Sequence, residues 1–242
     1  MRSSMTRFGV AVAAILLLAA CGEEAAQSSN ETGNDTAQQA GSAARGEISA
    51  FPLQTPAADD PYLAKGYAVG DIILGDANAP VTIIEYASLT CPHCASFHVD
   101  TYPTLKKDYI DTGKARLIVR EVYFDQFGLF AAVIARCGGE QRYYPYLDVF
   151  FERQAQWTGA GDEESIMREI RSIGRFGGMA EERIDACLND QPFVNQLLQN
   201  YQAAAEADGV RSTPYFLVNG EPIRGNVGMD EMRRVIDDAL GG

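Results

Sequence analysis

The chain has 242 residues, 46% of them hydrophobic, with 33 acidic against 20 basic side chains and a net charge of −13. Such a balance argues against nucleic acid or an anionic membrane face as a charge-attracted partner, and it favours solubility. Five cysteines are the most informative part of the composition.

The first twenty residues read as a processing signal rather than fold. Arg2 and Arg7 make a basic start, and the apolar run from Phe8 to Ala20 is too short to span a bilayer comfortably. Small residues then precede a cysteine, the layout of a secretory signal peptide over residues 1–20. Leu18-Ala19-Ala20-Cys21 resembles the bacterial lipobox, in which the signal is cut before the cysteine and the thiol carries a lipid. Cys21 is therefore expected to be lipidated, holding the mature protein to a membrane on the periplasmic side of the cell envelope. Removing residues 1–20 leaves 18 basic against 33 acidic side chains, or −15. No later stretch is long and apolar enough to be a transmembrane helix. From Gly22 to about Pro61, Ala, Gln, Ser, Glu, Asn and Gly dominate. Such a segment cannot bury enough surface to offset its ordering entropy, so residues 21–65 are expected to be the lipidated cysteine and a disordered tether. Residues 66–242 are about one domain's worth of chain.

Within that domain Asp71-Ile72-Ile73-Leu74 suggests a short edge strand, and Val81-Thr82-Ile83-Ile84-Glu85-Tyr86 a buried strand. Thr90 offers an N-cap hydroxyl, which predicts Cys91 in the first turn of a helix running to about Thr112. Pro103 should kink that helix and Gly113 end it. Ala115 to Val122 reads as a second strand. Helical segments are then predicted over Leu129–Cys137, Pro145–Gln156, Asp162–Ile173, Ala180–Leu188 and Pro192–Ala207, with Gly209 closing the last. Tyr215-Phe216-Leu217-Val218 and Ile223 flank Asn219-Gly220, a type I′ hairpin signal, and a helix from Met229 to about Leu240 closes the chain. The order is α/β with a helical insertion.

Setting Cys21 aside leaves Cys91, Cys94, Cys137 and Cys187, an even number in an exported chain, which points to disulfide chemistry. The close pair suits a redox centre and the distant pair a staple. At the first turn of a helix Cys91 meets unpaired N–H groups and the positive end of the helix dipole, both of which favour the reactive thiolate. Cys94, one turn further in, is expected to be shielded, and His93 to donate a hydrogen bond or place positive charge near the thiolate. A better-stabilised thiolate makes the disulfide a better oxidant. Glu85 sits in an otherwise apolar strand, where a carboxyl is costly to bury without a task; moving protons to and from Cys94 is such a task. The alternative is a half-exposed Glu at the strand edge. Tyr143, Tyr144, Tyr146, Phe150, Phe151 and Trp157 fall at helical spacing and read as core, with a client groove as the other possibility.

Together, Ala79-Pro80-Val81-Thr82-Ile83-Ile84-Glu85-Tyr86, Cys91-Pro92-His93-Cys94, Cys137-Gly138-Gly139, Cys187-Leu188-Asn189-Asp190 and Thr213-Pro214-Tyr215-Phe216-Leu217-Val218-Asn219-Gly220 resemble the DsbA-like branch of the thioredoxin superfamily. The resemblance spans about residues 70–240. It implies a thioredoxin fold with a helical domain inserted at about residues 126–209, and a cis Pro214 packed against the Cys91–Cys94 pair. It implies that Thr213 and Pro214 bind substrate as an added strand, and that Cys137 and Cys187 bridge. It further implies an oxidoreductase without a cofactor that introduces disulfides into exported polypeptides bearing free thiols. A DsbB-like quinone-linked membrane oxidase would reoxidise it. Pro92-His93 points toward oxidation, since reducing family members more often carry Gly-Pro there. Thr213 before Pro214 resembles isomerases and some oxidases, so isomerase or reductase activity is the alternative. No amino-terminal dimerisation module like that of the DsbC isomerases is evident, and a monomer is expected. A different class of function is copper or zinc binding by Cys91, His93, Cys94 and His98. That ligand set is incomplete for a tetrahedral site, and His98 reads instead as a helix-face residue.

Overall fold

The computed structural model describes residues 53–224 and 227–241. The segments expected to be a signal peptide, a lipidated Cys21 and a tether as far as residue 52 lie outside the described residues. Where the description begins, the chain is already held to the domain. Leu53 packs against the apolar cluster that contains Ile84 and Tyr86, and the Gln54 N–H donates to Asp71 at 2.8 Å. Asp60 caps the short helix Pro61–Ala64 (α1), which buries Tyr62 against Phe193 at a ring separation of 4.7 Å. The folded part thus starts ahead of residue 66, the boundary expected from composition. Leu53 and Tyr62 anchor the segment with polar contacts beside them, among them Gln196 to Asp60 at 2.8 Å and Lys65 to Asp190 at 2.6 Å.

Ile73–Leu74 (β1) is the edge strand, and Val81–Ala87 (β2) is buried at every position, as a strand covered on both faces must be. Ala115–Glu121 (β3) lies parallel to β2, with Glu85 beside Val119. Between them runs the redox helix: Pro92–Ser96 (α2), a π-helical stretch Phe97–Thr101, Tyr102–Leu105 (α3) and a second π-helical stretch Lys106–Ile110. The helical backbone carries on through Pro103. Proline has no N–H to give, and the ladder shifts just before it, where the Tyr102 N–H bonds the Phe97 carbonyl five residues back. Gly113, at φ +73°, turns the chain back toward β3.

The insertion comprises Gln126–Cys137 (α4), Glu140–Glu152 (α5), Gln154–Thr158 (α6), Glu163–Phe176 (α7), Glu181–Leu188 (α8) and Gln191–Ala207 (α9). Ala131 to Ala135 in α4 are wholly buried, which makes that helix the insertion's centre. Cys137 at its end is bonded to Cys187 of α8, with the Cα atoms 6.3 Å apart. The aromatic set on α5 and α6 is core throughout, from Tyr143 to Trp157. Tyr144 donates to the carbonyl of Ile72 or Leu117, at 2.7 and 2.9 Å, tying α5 to the sheet.

Tyr215–Val218 (β4) returns antiparallel to β2, and Glu221–Arg224 (β5) pairs with β4. Asn219 and Gly220 both have positive φ, 49° and 89°, as a type I′ turn demands. The sheet order is β1-β3-β2-β4-β5, and Met229–Leu240 (α10) packs on α3, β2 and β4. One sheet face, with Val81, Ile83, Leu117 and Phe216, meets the redox helix and the first helices of the insertion; the other, with Ile84, Tyr86 and Leu217, meets Leu53 and Tyr201 of α9. This is the strand–helix–strand, helical block, hairpin and helix that the sequence predicts.

Candidate active site

β2 ends in a tight connection to the redox helix, and there the structure departs from one sequence expectation. Cys91, not Thr90, occupies the N-cap position, with extended backbone, and α2 begins at Pro92. Proline fits there because its missing N–H would have had no helical partner. The Thr90 hydroxyl donates instead to Asp125, at 2.6 Å. Asp125 is itself the N-cap of α4, accepting from the Phe127 and Gly128 N–H groups. The redox loop is also held from the other side of the insertion. The buried Gln154 carboxamide donates to the Leu89 carbonyl at 2.8 Å and to the Cys91 carbonyl at 2.9 Å.

Cys91 and Cys94 are both free thiols, the first half-buried and the second fully buried. Their environments drive them apart. The Cys91 thiol is lowered to about 5, first by a hydrogen bond from the Cys94 thiol and then, against the opposing effect of burial, by the Thr213 side chain and the backbone N–H groups of Cys94 and His93. Cys94 is pushed far above the ordinary thiol range by the same hydrogen bond, by burial and by the charge of Glu85. As a thiol, Cys91 Sγ lies 3.6 Å from the Thr213 carbonyl, to which it donates. The Thr213–Pro214 peptide is cis, and Pro214 is buried at the start of β4. His93 is exposed, and its backbone N–H faces the Cys91 sulfur.

Glu85 is fully buried, not half-exposed at an edge. Its Oε2 lies 2.9 Å from His98 Nε2. His98, read from the sequence as a helix-face residue, does lie on the face of the redox helix that carries Cys94, and that face is buried. It is 6% exposed, stacked on Phe151 at 3.9 Å and turned to the carboxylate. The sequence carried a sign of this: His98 is four residues after Cys94, so a helix that buries one buries the other. Gln154 and Asp125 carried no such sign, because their roles depend on how the insertion folds back over the loop. Among the described residues no group of His, Cys, Asp and Glu is arranged to hold a metal.

The thioredoxin family model matches residues 68–238. A protein of Rickettsia typhi named as a protein-disulfide oxidoreductase is 34% identical over 171 residues, 70% of this chain and 62% of that one. The chain thus spans about three fifths of the length of such relatives. Among solved structures, α-DsbA1 of Wolbachia pipientis is similar at 28% identity and a TM-score of 0.65, covering 71% of this chain and 91% of its own. A protein-disulfide isomerase of Novosphingobium aromaticivorans is similar at 27% identity and a TM-score of 0.63, covering 72% of this chain and 100% of its own.

Proposed function

We propose, from the premise that this chain belongs to the thioredoxin family and to its DsbA-like branch, that it introduces disulfides into exported polypeptides by dithiol exchange at Cys91 and Cys94. The observation that carries this reading is the asymmetry of the two sulfurs: one thiolate stabilised at a helix terminus, the other buried and held protonated.

In the oxidised protein a client thiolate attacks Cys91 Sγ. The Cys91–Cys94 bond breaks, and Cys94 leaves with the electron pair and takes up a proton. The client's second thiolate then attacks its own sulfur in the mixed disulfide, and Cys91 departs as a thiolate. The client has lost two electrons and the dithiol has gained them. Cys91 is a good leaving group because its thiolate is stable, which biases the exchange toward client oxidation. The cis Thr213–Pro214 segment beside Cys91 offers backbone groups to an extended client, and Glu85 supplies the proton that Cys94 needs. A DsbB-like membrane oxidase is the partner that restores the disulfide, and lipidation at Cys21 would keep the monomeric domain near it on the periplasmic side.

Thr213 before Pro214, with the likeness to the Novosphingobium isomerase, favours isomerisation as a second reading. The equilibrium potential of Cys91/Cys94 against glutathione buffers separates the possibilities. A value near about −120 mV, that of DsbA, supports an oxidase; one near about −180 mV, that of protein disulfide isomerase, supports isomerisation; and one near about −270 mV, that of thioredoxin, makes the protein a reductase.

A further inference from the structure

Cys94, His98 and Tyr102 follow one another at intervals of four along the redox helix, and all three are buried. Beside them the Glu85–His98 pair is only half satisfied. Glu85 Oε1, His98 Nδ1 and the Tyr102 hydroxyl have no hydrogen-bond partner. A buried pair in that condition is a liability to the fold, so its retention calls for a task. The surrounding contacts are largely apolar: Phe151 stacks on the imidazole, and Phe216 and Val119 flank Glu85 in the sheet. Past His98 lies a cavity of about 260 Å³ lined by His98, Tyr102, Pro103, Lys106, Asp148 and Glu152. Pro103 and Glu152 are exposed, so the cavity reaches solvent, and neither cysteine lines it.

We propose that Cys94 exchanges its proton with solvent through Glu85, His98 and this cavity, along a route separate from the client-facing side at Cys91. The proposal rests on the dithiol-exchange reading and adds a positioning and proton-transfer role for His98. When the Cys91–Cys94 bond breaks, Cys94 leaves with the electron pair and receives a proton passed on by the Glu85 carboxylate. The carboxylate takes a proton from Nε2 of His98, while Nδ1, buried in the resting structure, gains one when water from the cavity reaches it. The imidazole has then passed from its Nε2–H to its Nδ1–H form. Reoxidation runs the same proton outward and restores the first tautomer, so a full cycle needs no ring flip. Other ionisable groups also face the relay. Tyr102 and Tyr144 are within electrostatic reach of Glu85, Asp148 faces His98, and Lys106 and Glu152 face Asp148.

The test is single-turnover reduction of the oxidised full-length chain by excess dithiothreitol, from about pH 5 to about pH 9, in light and heavy water. His98→Gln can still hydrogen-bond Glu85 but cannot carry a second proton. It is expected to be at least about tenfold slower near neutral pH, and to lose one inflection of the pH profile. Its solvent isotope effect should change as well. Titration of the Cys91 thiolate, followed by its ultraviolet absorbance, should stay in place. Asp148→Asn keeps His98 but removes a carboxylate that lines the same cavity, so its pH profile should also differ from the parent's. This second variant decides the matter if the first does not fold. Parent-like profiles in the variants overturn the relay, as does a slow His98→Gln that keeps the parent's inflection and isotope effect. A parent chain that exchanges no disulfides at all overturns the underlying reading, and the relay with it.

Discussion

Cys91 and Cys94 are separated by two residues, yet one faces helix N–H groups at the surface and the other an apolar interior with a carboxylate nearby. That difference has a thermodynamic consequence. The folded-state value for Cys91 is about 5 against 9.0 for an ordinary thiol, so folding favours its thiolate. A depressed acid contributes stability that is complete above its unfolded value and is lost as pH falls through its folded value. The reduced protein should therefore gain stability relative to the oxidised one as pH rises from about 5 toward about 9. Below about 5 that gain should vanish. Paired melting curves of the two redox forms across this range check it; a gap that stays flat with pH contradicts the assignment. The Glu85–His98 pair predicts the opposite relation between stability and function. Replacing both residues by Leu removes two unpartnered polar atoms from an apolar site. Such exchanges are commonly neutral or stabilising by about 1–4 kcal/mol. Glu85→Leu/His98→Leu should melt no lower than the parent while its exchange rate falls. A lower melting temperature would mean that the pair serves the fold.

At the scale of elements, the insertion holds the redox loop in addition to the loop's own helix, whose Ala95 N–H bonds the Cys91 carbonyl. Thr90 leans on the cap of α4, and Gln154 of α6 holds the carbonyls of Leu89 and Cys91. Gln154→Ala leaves the buried Leu89 carbonyl without that donor. A lost partner of this kind costs about 1–3 kcal/mol, or about 2–12 °C of melting temperature for a domain this size. Because the Cys91 carbonyl also loses one of its two donors, keeping only the Ala95 N–H, the variant's Cys91 thiolate should titrate higher. An unchanged melting curve together with an unchanged titration would remove Gln154 from the site. Local pattern made most of these elements legible. The β-branched run of β2, the Asn219-Gly220 turn and the spacing of Cys91 and Cys94 each follow from side-chain chemistry within a few residues. Thr90 misled because a hydroxyl before a helix is an N-cap only when no better partner is near, and Asp125, 35 residues on, is nearer. The clamp by Gln154 was illegible for the same reason, since it joins residues 63 apart.

The whole molecule has to keep one pair of cysteines reactive and another inert. Cys137 and Cys187 are both wholly buried, so no client sulfur reaches them, whereas Cys91 is half-exposed at the N-cap of α2. Distance adds to the separation. α4 rises about 1.5 Å per residue, which puts Cys137 about 18 Å along the helix from Asp125, the residue that anchors the redox loop. Closing a loop of 50 residues stabilises the fold by about 4 kcal/mol in the chain-entropy description. In a domain of this length that corresponds to about 8–16 °C of melting temperature. Cys137→Ala/Cys187→Ala should therefore melt lower by about that much, while its Cys91/Cys94 potential stays at the parent's value, because the contacts that set the potential lie at the other end of α4. Both quantities are needed. A fall in melting temperature with an unmoved potential means that the insertion holds the redox loop through Thr90, Asp125 and Gln154 alone. A potential that shifts with loss of the bridge means that α4 transmits the state of its far end to Cys91, and the two cysteine pairs are then coupled rather than independent.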